Sequence, residues 1–115
     1  MMTKLEKLQA HAARAEKFVV NRPKPRVVVC AANQFKLFDG RVFVVCAPRH
    51  YDVNMIKHIH RLDIQGFVEE ETQGFVDQFG VFMTRKQAWR VAEEAGQIKY
   101  RCGGDDGRLF SENLY

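Results

Sequence analysis

Membrane-length apolar runs, paired cysteines and the familiar glycine-rich or catalytic signatures are all missing from this chain of 115 residues. No apolar stretch approaches the roughly 18 residues that cross a bilayer, so a membrane-embedded chain is not expected. The first twenty residues carry Lys4, Glu6, Lys7, Arg14 and Glu16 in place of an uninterrupted apolar run. A secretory signal is therefore not expected, and the chain reads as cytoplasmic. Three cysteines, Cys30, Cys46 and Cys102, are odd in number and lack C-x-x-C spacing, which argues against a disulfide framework and a four-thiolate zinc site. Reduced, buried strand thiols are the plain reading, with Cys102 beside Arg101 the candidate for a reactive one. There is no Walker pattern, no G-x-G-x-x-G after a strand, no G-x-S-x-G elbow and no H-E-x-x-H.

What is there suits one small domain, 46% hydrophobic and 28% charged. A chain of this length buries about 65% of its unfolded surface, enough for one core. A sheet backed by two or three helices leaves an apolar face over, so a homo-oligomer is expected. The net charge of +4 is uneven: residues 1–26 hold seven Lys or Arg against two Glu, and the remainder is close to neutral. That basic segment lacks aromatic interleaving, so nucleic acid is not the favoured partner.

Residues 3–17 place Leu5, Leu8, Ala12 and Ala15 at helical spacing, continued by Phe18, and Pro23 and Pro25 end any helix. Residues 1–25 thus read as an amphipathic helix and linker, and residues 26–115 as an α+β ligand-binding domain. Residues 26–35 and 41–47 read as a β-hairpin turning at Asp39-Gly40, apolar enough for both faces to be covered. Asp52 is a credible N-cap for a helix carrying Val53, Ile56, Ile59 or His60, and Ile64. Short extended pieces, residues 65–68 and 74–77, are expected on either side of the acidic Glu69-Glu70-Glu71. The chain then turns at Gly80 and enters a helix through a Thr84-Gln87 capping box, with Ala88, Val91, Ala92 and Ala95 facing inward and Gly96 as the stop. Residues 103–107, rich in glycine, read as an exposed flexible loop. The fold class is α+β, an antiparallel sheet packed by two or three α-helices.

His50, His58 and His60, with Asp52 and Asp63, invite a metal reading, but His58 and His60 lie about 200° apart on a helix, and no metal site is expected. Asp105 and Asp106 have no third ligand at useful spacing. What converges is a set suited to a planar base and phosphates, at strand and helix ends: Arg49, Phe67, Phe75, Phe82, Arg85 and Gln97. Rings stack on bases and guanidinium groups fork onto phosphate. Asn33 and Gln65 are candidates to read base edges. The competing reading is that the phenylalanines are core and the arginines form structural ion pairs.

The runs CAPRHYDVNM (residues 46–55), QGFV (65–68), GFVDQFGVFMTRKQAWRVAEEAGQI (74–98) and LFSENLY (109–115) together resemble a family of small phage proteins. The pattern is similar to the first Thoeris anti-defence family, small phage proteins that sequester cyclic ADP-ribose signals. The resemblance covers residues 27–115. It implies a non-catalytic sponge without a cofactor, acting in the infected bacterial host as a dimer or a higher oligomer such as a hexamer. Related members also hold cyclic oligonucleotides at separate sites. The resemblance places Arg49 and His50 in an R-H element, Phe82 and Arg85 in a G-x-F-x-x-R element, and Gln97 in A-G-Q-I, all as ligand-binding residues. Gln87 stands where the pattern has Glu, and the basic segment before Arg26 is extra. Two other functions are carried beside the sponge: a small nucleotide hydrolase using His50 or Asp105, and a protein or nucleic-acid interaction module using the basic N-terminal helix.

Overall fold

Valine-rich runs joined by a tight turn build the centre of the molecule. The computed structural model describes Thr3, Lys4, Glu6 and residues 25–115. The amphipathic helix and most of the linker expected over residues 1–25 lie outside the described residues. Strands β1 (Val28–Leu37) and β2 (Val42–Ala47) form the expected hairpin. β1 runs two residues past Phe35 because Asp39 closes the turn, accepting from the Arg41 N–H at 3.0 Å and from Arg41 Nε at 2.8 Å, with Gly40 at φ 90°.

β3 (Val68–Asp77) pairs antiparallel along β1, and the short β4 (Phe82–Thr84) pairs with β3, giving the order β2-β1-β3-β4. The expected separate pieces around Glu69-Glu70-Glu71 are one strand. The acidic run fits in it because alternate carboxylates meet different partners: Glu70 lies opposite Lys36, while Glu71 accepts from Asn33 Nδ2 at 2.7 Å. At the β3–β4 turn, the buried Asp77 carboxylate accepts from the Phe79 and Val81 N–H groups at 2.8 and 2.9 Å and from Arg26 Nε at 2.8 Å. Gly80 sits there at φ 78°.

Helix α1 (Val53–Leu62) starts at Asp52, whose Oδ1 accepts from the Met55 N–H at 2.9 Å. Its buried face is not the Val53 and Ile56 stripe. Met55 is fully buried with Ile59 and Leu62 packed near it, whereas Val53 and Ile56 are 66% and 43% exposed. Positions 55, 59 and 62 share one face at helical spacing, and this face meets the sheet. Helix α2 (Arg85–Glu94) has the full Thr84-Gln87 capping box, buries Ala88, Trp89 and Ala92, and stops at Gly96 with φ 67°. Val91 and Ala95 are only half-buried.

The two helices serve two separate cores. One, under α2, gathers Ala31, Phe75, Met83, Trp89 and Leu109; the other, under α1, gathers Phe35, Leu37, Val45 and Met55. Ala31, Phe35 and Leu37 are odd-numbered positions of β1, so both cores lie on one face of the sheet. The opposite face was expected to be covered, yet Val42 and Val44 are exposed there among the described residues. Cys46 is also exposed, and burial with the neighbouring Cys46 thiol pushes the Cys30 thiol up to about 11.

The glycine-rich loop is organised rather than loose. Asp105 is buried, accepts from Arg101 Nε and Nη2 at 2.8 Å each, from the Cys102 N–H at 3.1 Å and from Asn113 Nδ2 at 3.1 Å. These bonds hold its carboxyl well below the usual carboxylate range. Arg101 is therefore committed to Asp105. The chain ends with a 3-10 turn (Ser111–Asn113), and Leu109 and Leu114 enter the α2 core.

Candidate functional site

Between the two cores the same sheet face turns polar. On β1 the position between Ala31 and Phe35 is Asn33, fully buried, and on β3 the positions beside it are Gln73 and Glu71, both exposed. The two cores lie under different helices, and between them runs a polar groove in which Gln73 and Glu71 are exposed while Asn33 is enclosed beside Glu71. Two segments distant in sequence wall it: the loop after β2 brings Arg49 and His50, and the C-terminal turn brings Phe110, Ser111, Glu112 and Tyr115.

Arg85, the first residue of α2, reaches along this seam. Its Nη2 donates to Gln73 Oε1 at 2.7 Å and its Nη1 to the Leu109 carbonyl at 2.8 Å. The guanidinium lies 4.5 Å from the Phe110 ring centroid and 6.0 Å from that of Phe75. Burial pulls its pKa down, opposed by Glu112. Arg49 donates from Nη1 to Ser111 Oγ at 3.3 Å and from Nη2 to the Tyr115 backbone oxygen, and it lies 5.0 Å from the Tyr115 ring centroid. Glu112 is a loose partner at 3.6 Å, and the Tyr115 hydroxyl donates to the Pro48 carbonyl. A guanidinium carries five N–H donors, so each arginine keeps donors beyond the two used here.

His50 Nε2 lies 2.7 Å from the Gly74 carbonyl oxygen, which can only accept, so Nε2 carries the proton. The ring meets Phe75 edge-on, centroids 5.1 Å apart at 89°. Burial lowers the His50 pKa foremost; the Gly74 carbonyl opposes this, Arg85 adds to it, and Glu112 works against it. The imidazole is neutral near pH 7. Glycine is required at position 74 because a Cβ there would lie 1.9 Å from the Met83 carbonyl oxygen.

Of the residues read from the sequence, Arg49, His50 and Arg85 come together in this groove; Phe75, against His50 and Arg85, is fully buried in the α2 core, and Asn33 is fully buried too. Phe67 is 62% exposed in the turn after α1. The Phe82 ring lies across Gly74, and Phe82 pairs with Val76, which neighbours inward-facing Phe75 on the opposite face. Gln97 clasps the start of β1, accepting from the Val28 N–H at 2.8 Å and donating to its carbonyl at 2.9 Å. Gln65 borders a cleft of about 250 Å³ beside α1, walled by Phe35, Ile59 and Ile64 and reaching Glu71. Sequence reasoning assigned no role to Glu71, Gln73, Ser111, Glu112 or Tyr115. The alternation 71, 73, 75 along β3 was the available signal for the first two.

No group of three or more metal-ligating side chains occurs among the described residues, and no described helix is long and apolar enough to cross a membrane. No curated protein and no solved structure matches the chain. Residues 27–115, well over half the chain and all of the groove, match the family described as Phage T4 y16D protein, and the chain belongs to this family of small phage proteins.

Proposed function

We propose that this protein is a phage anti-defence sponge of the Thoeris-inhibiting kind. It binds a cyclic nucleotide immune signal of the cyclic ADP-ribose type in the cytoplasm of the infected host and withholds it uncleaved. The observation that carries this reading is the pair of ring-stacked guanidinium groups, Arg49 and Arg85, fixed by different elements beside the same open groove. Held in place before the ligand arrives, they bind phosphate oxygens with little ordering cost. Neutral His50 and the exposed Gln73 and Glu71 supply uncharged and acceptor contacts for the rest of a nucleotide.

Sequestration asks for tight ground-state binding, whereas catalysis asks for groups that favour a transition state. Sub-micromolar affinity corresponds to more than about 8 kcal/mol. The groove is open along Glu71 and Gln73, and a second copy of the chain closing over it provides the enclosure that such affinity needs. The protein works as a homo-oligomer on this reading.

Native mass spectrometry with linear and cyclic nucleotides, including cyclic ADP-ribose isomers, tests it. An intact cyclic nucleotide released by heat is the expected result, and the same spectra give the stoichiometry. Turnover of the nucleotide that disappears in His50→Gln would replace the sponge with a hydrolase. No adduct, together with salt-sensitive macromolecular binding lost on deleting residues 1–25, would replace it with an interaction module.

A further inference from the structure

The two edges of the sheet are built differently. β4 is three residues long and passes straight into α2, whereas β2 has six residues, VFVVCA, with no charge and no proline. Its register with β1 runs from Ala31 opposite Ala47 to Lys36 opposite Val42 without a bulge. Soluble proteins blunt a sheet edge with charge, proline, a bulge, a very short strand or a covering element, because an open edge accepts another strand. β2 carries none of these devices in its own sequence. Val42 and Val44 are 53% and 39% exposed, Cys46 is exposed beside them, and among the described residues the β2 backbone has no backbone partner beyond β1. The phase of the ladder fixes which of its groups are open. The Leu37 N–H donates to the Arg41 carbonyl at 2.8 Å, and the antiparallel alternation from that bond turns Phe43, Val45 and Ala47 toward β1 and Val42, Val44 and Cys46 away from it. The open row is bracketed at both ends: the Gly40 N–H already donates to the Leu37 carbonyl at 3.0 Å, and Pro48 has no N–H.

We infer that β2 pairs antiparallel with the β2 strand of a second copy of this chain, about a twofold axis at Val44, so that the two sheets become one. In this register Val44 faces its own copy and Val42 faces Cys46 of the partner subunit, and every open residue of the row exchanges both of its backbone hydrogen bonds. Sliding the strands by two residues either way brings Gly40 or Pro48 into the ladder and loses a pair, so the bracketed row specifies one register. The side chains of Val42, Val44 and Cys46 share a face, and the twofold axis continues their apolar row into that of the partner. A second copy is the occupant because the row is its own complement: length matches length, apolar meets apolar, and each donor meets an acceptor, which is the condition for an isologous interface. The β2 edge lies on the far side of β1 from Glu71 and Gln73, so the pairing holds whether or not the groove takes a nucleotide.

Sedimentation equilibrium of the full chain over about 1–100 μM, without nucleotide, is expected to show self-association in this range. Val44→Lys changes an exposed side chain and sets two like charges face to face on the axis, so it is expected to weaken that association by about tenfold or more at an unchanged far-ultraviolet spectrum. The register has its own readout, which stands even if the lysine variant does not fold. Directly opposed residues of a bonded pair have Cα atoms about 5.5 Å apart, inside the range of about 4.4–6.8 Å that a disulfide spans. Mild oxidation of the Val44→Cys, Cys46→Ser double variant is therefore expected to link two chains through residue 44, mapped by mass spectrometry, whereas wild-type chains oxidised alongside should not link through Cys46. Association untouched by Val44→Lys, no link through residue 44, or a wild-type link between two Cys46 residues overturns the inference. So does a monomer across the whole range: slow hydrogen exchange at the Val42, Val44 and Cys46 amides would then assign the edge to residues 1–25 of the same chain, and fast exchange would leave it bare.

Discussion

Gly74→Ala joins the fold and the groove in one perturbation. A Cβ on residue 74 would stand 1.9 Å from the Met83 carbonyl oxygen and 2.8 Å from Phe82 Cζ, against a floor of 3.0 Å that real Cβ contacts respect. The oxygen belongs to backbone, so β4 itself must move by about 1 Å. β4 is only three residues long and runs directly into the Thr84 cap of α2. Weakening its short ladder costs about 1 kcal/mol per hydrogen bond, and losing the cap costs about 1 kcal/mol, for roughly 3 kcal/mol together. A domain of this size has about 5–15 kcal/mol in all, and each kcal/mol moves its melting temperature by about 4–8 °C, so a fall of roughly 15 °C is expected. Circular dichroism gives the midpoint. The fluorescence of Trp89, the only tryptophan and part of the α2 core, gives an independent one. A midpoint within 2–3 °C of wild type, roughly half a kcal/mol, would refute the close β3–β4 approach and with it the placement of His50 and Arg85 about Gly74.

Gln97→Ala should cost about 2 kcal/mol in urea unfolding, because the buried Val28 loses partners for both its N–H and its carbonyl. Nucleotide affinity, measured calorimetrically, should stay within about twofold of wild type, since Gln97 bonds backbone away from the groove; weakening of tenfold or more would return it to the ligand contacts. Arg85→Lys keeps a charge but loses the fork and the stack on Phe110, and should weaken nucleotide binding about tenfold. The folded protein holds His50 neutral, with its pKa below the ordinary 6.5. The unfolded chain therefore binds that proton more readily, and stability present above pH 6.5 should decline as pH falls from there toward the folded pKa. Urea titrations at several pH values in that window should show a shallower decline for His50→Gln than for wild type.

Local signals in the sequence were read faithfully where one short segment determines the outcome. The Asp39-Gly40 turn, the Asp52 cap, the Thr84-Gln87 box and the Gly96 stop each depend on a few neighbouring backbone groups. Features decided across the fold were not legible. The α1 stripe pointed to Val53 and Ile56 because both are apolar, yet the sheet meets Met55. The acidic run looked like a loop because cross-strand Lys36 and the amide of Asn33 are more than thirty residues away. Asp105 looked like a loop carboxylate although its partners are near in sequence, because Arg101, four residues before it, and Asn113, eight after it, enclose it only when the C-terminal turn folds back.

The groove was legible in its parts and not in its assembly, and the cause is one of lengths. β1 and β3 each have ten residues, about 33 Å of strand, while each helix of ten residues is about 15 Å long. No single helix of that length covers the sheet. α1 packs on the β2 side at one end and α2 on β3 and β4 at the other, and the seam between them falls near Asn33 and Gln73. A seam at mid-strand cannot be sealed by apolar side chains without a third element, and this chain sends its loop after β2 and its last seven residues there instead. Arg49 and Arg85 were identifiable because they stand at element ends. Ser111, Glu112 and Tyr115 acquire their role only through contacts with Arg49 and Pro48, more than sixty residues earlier.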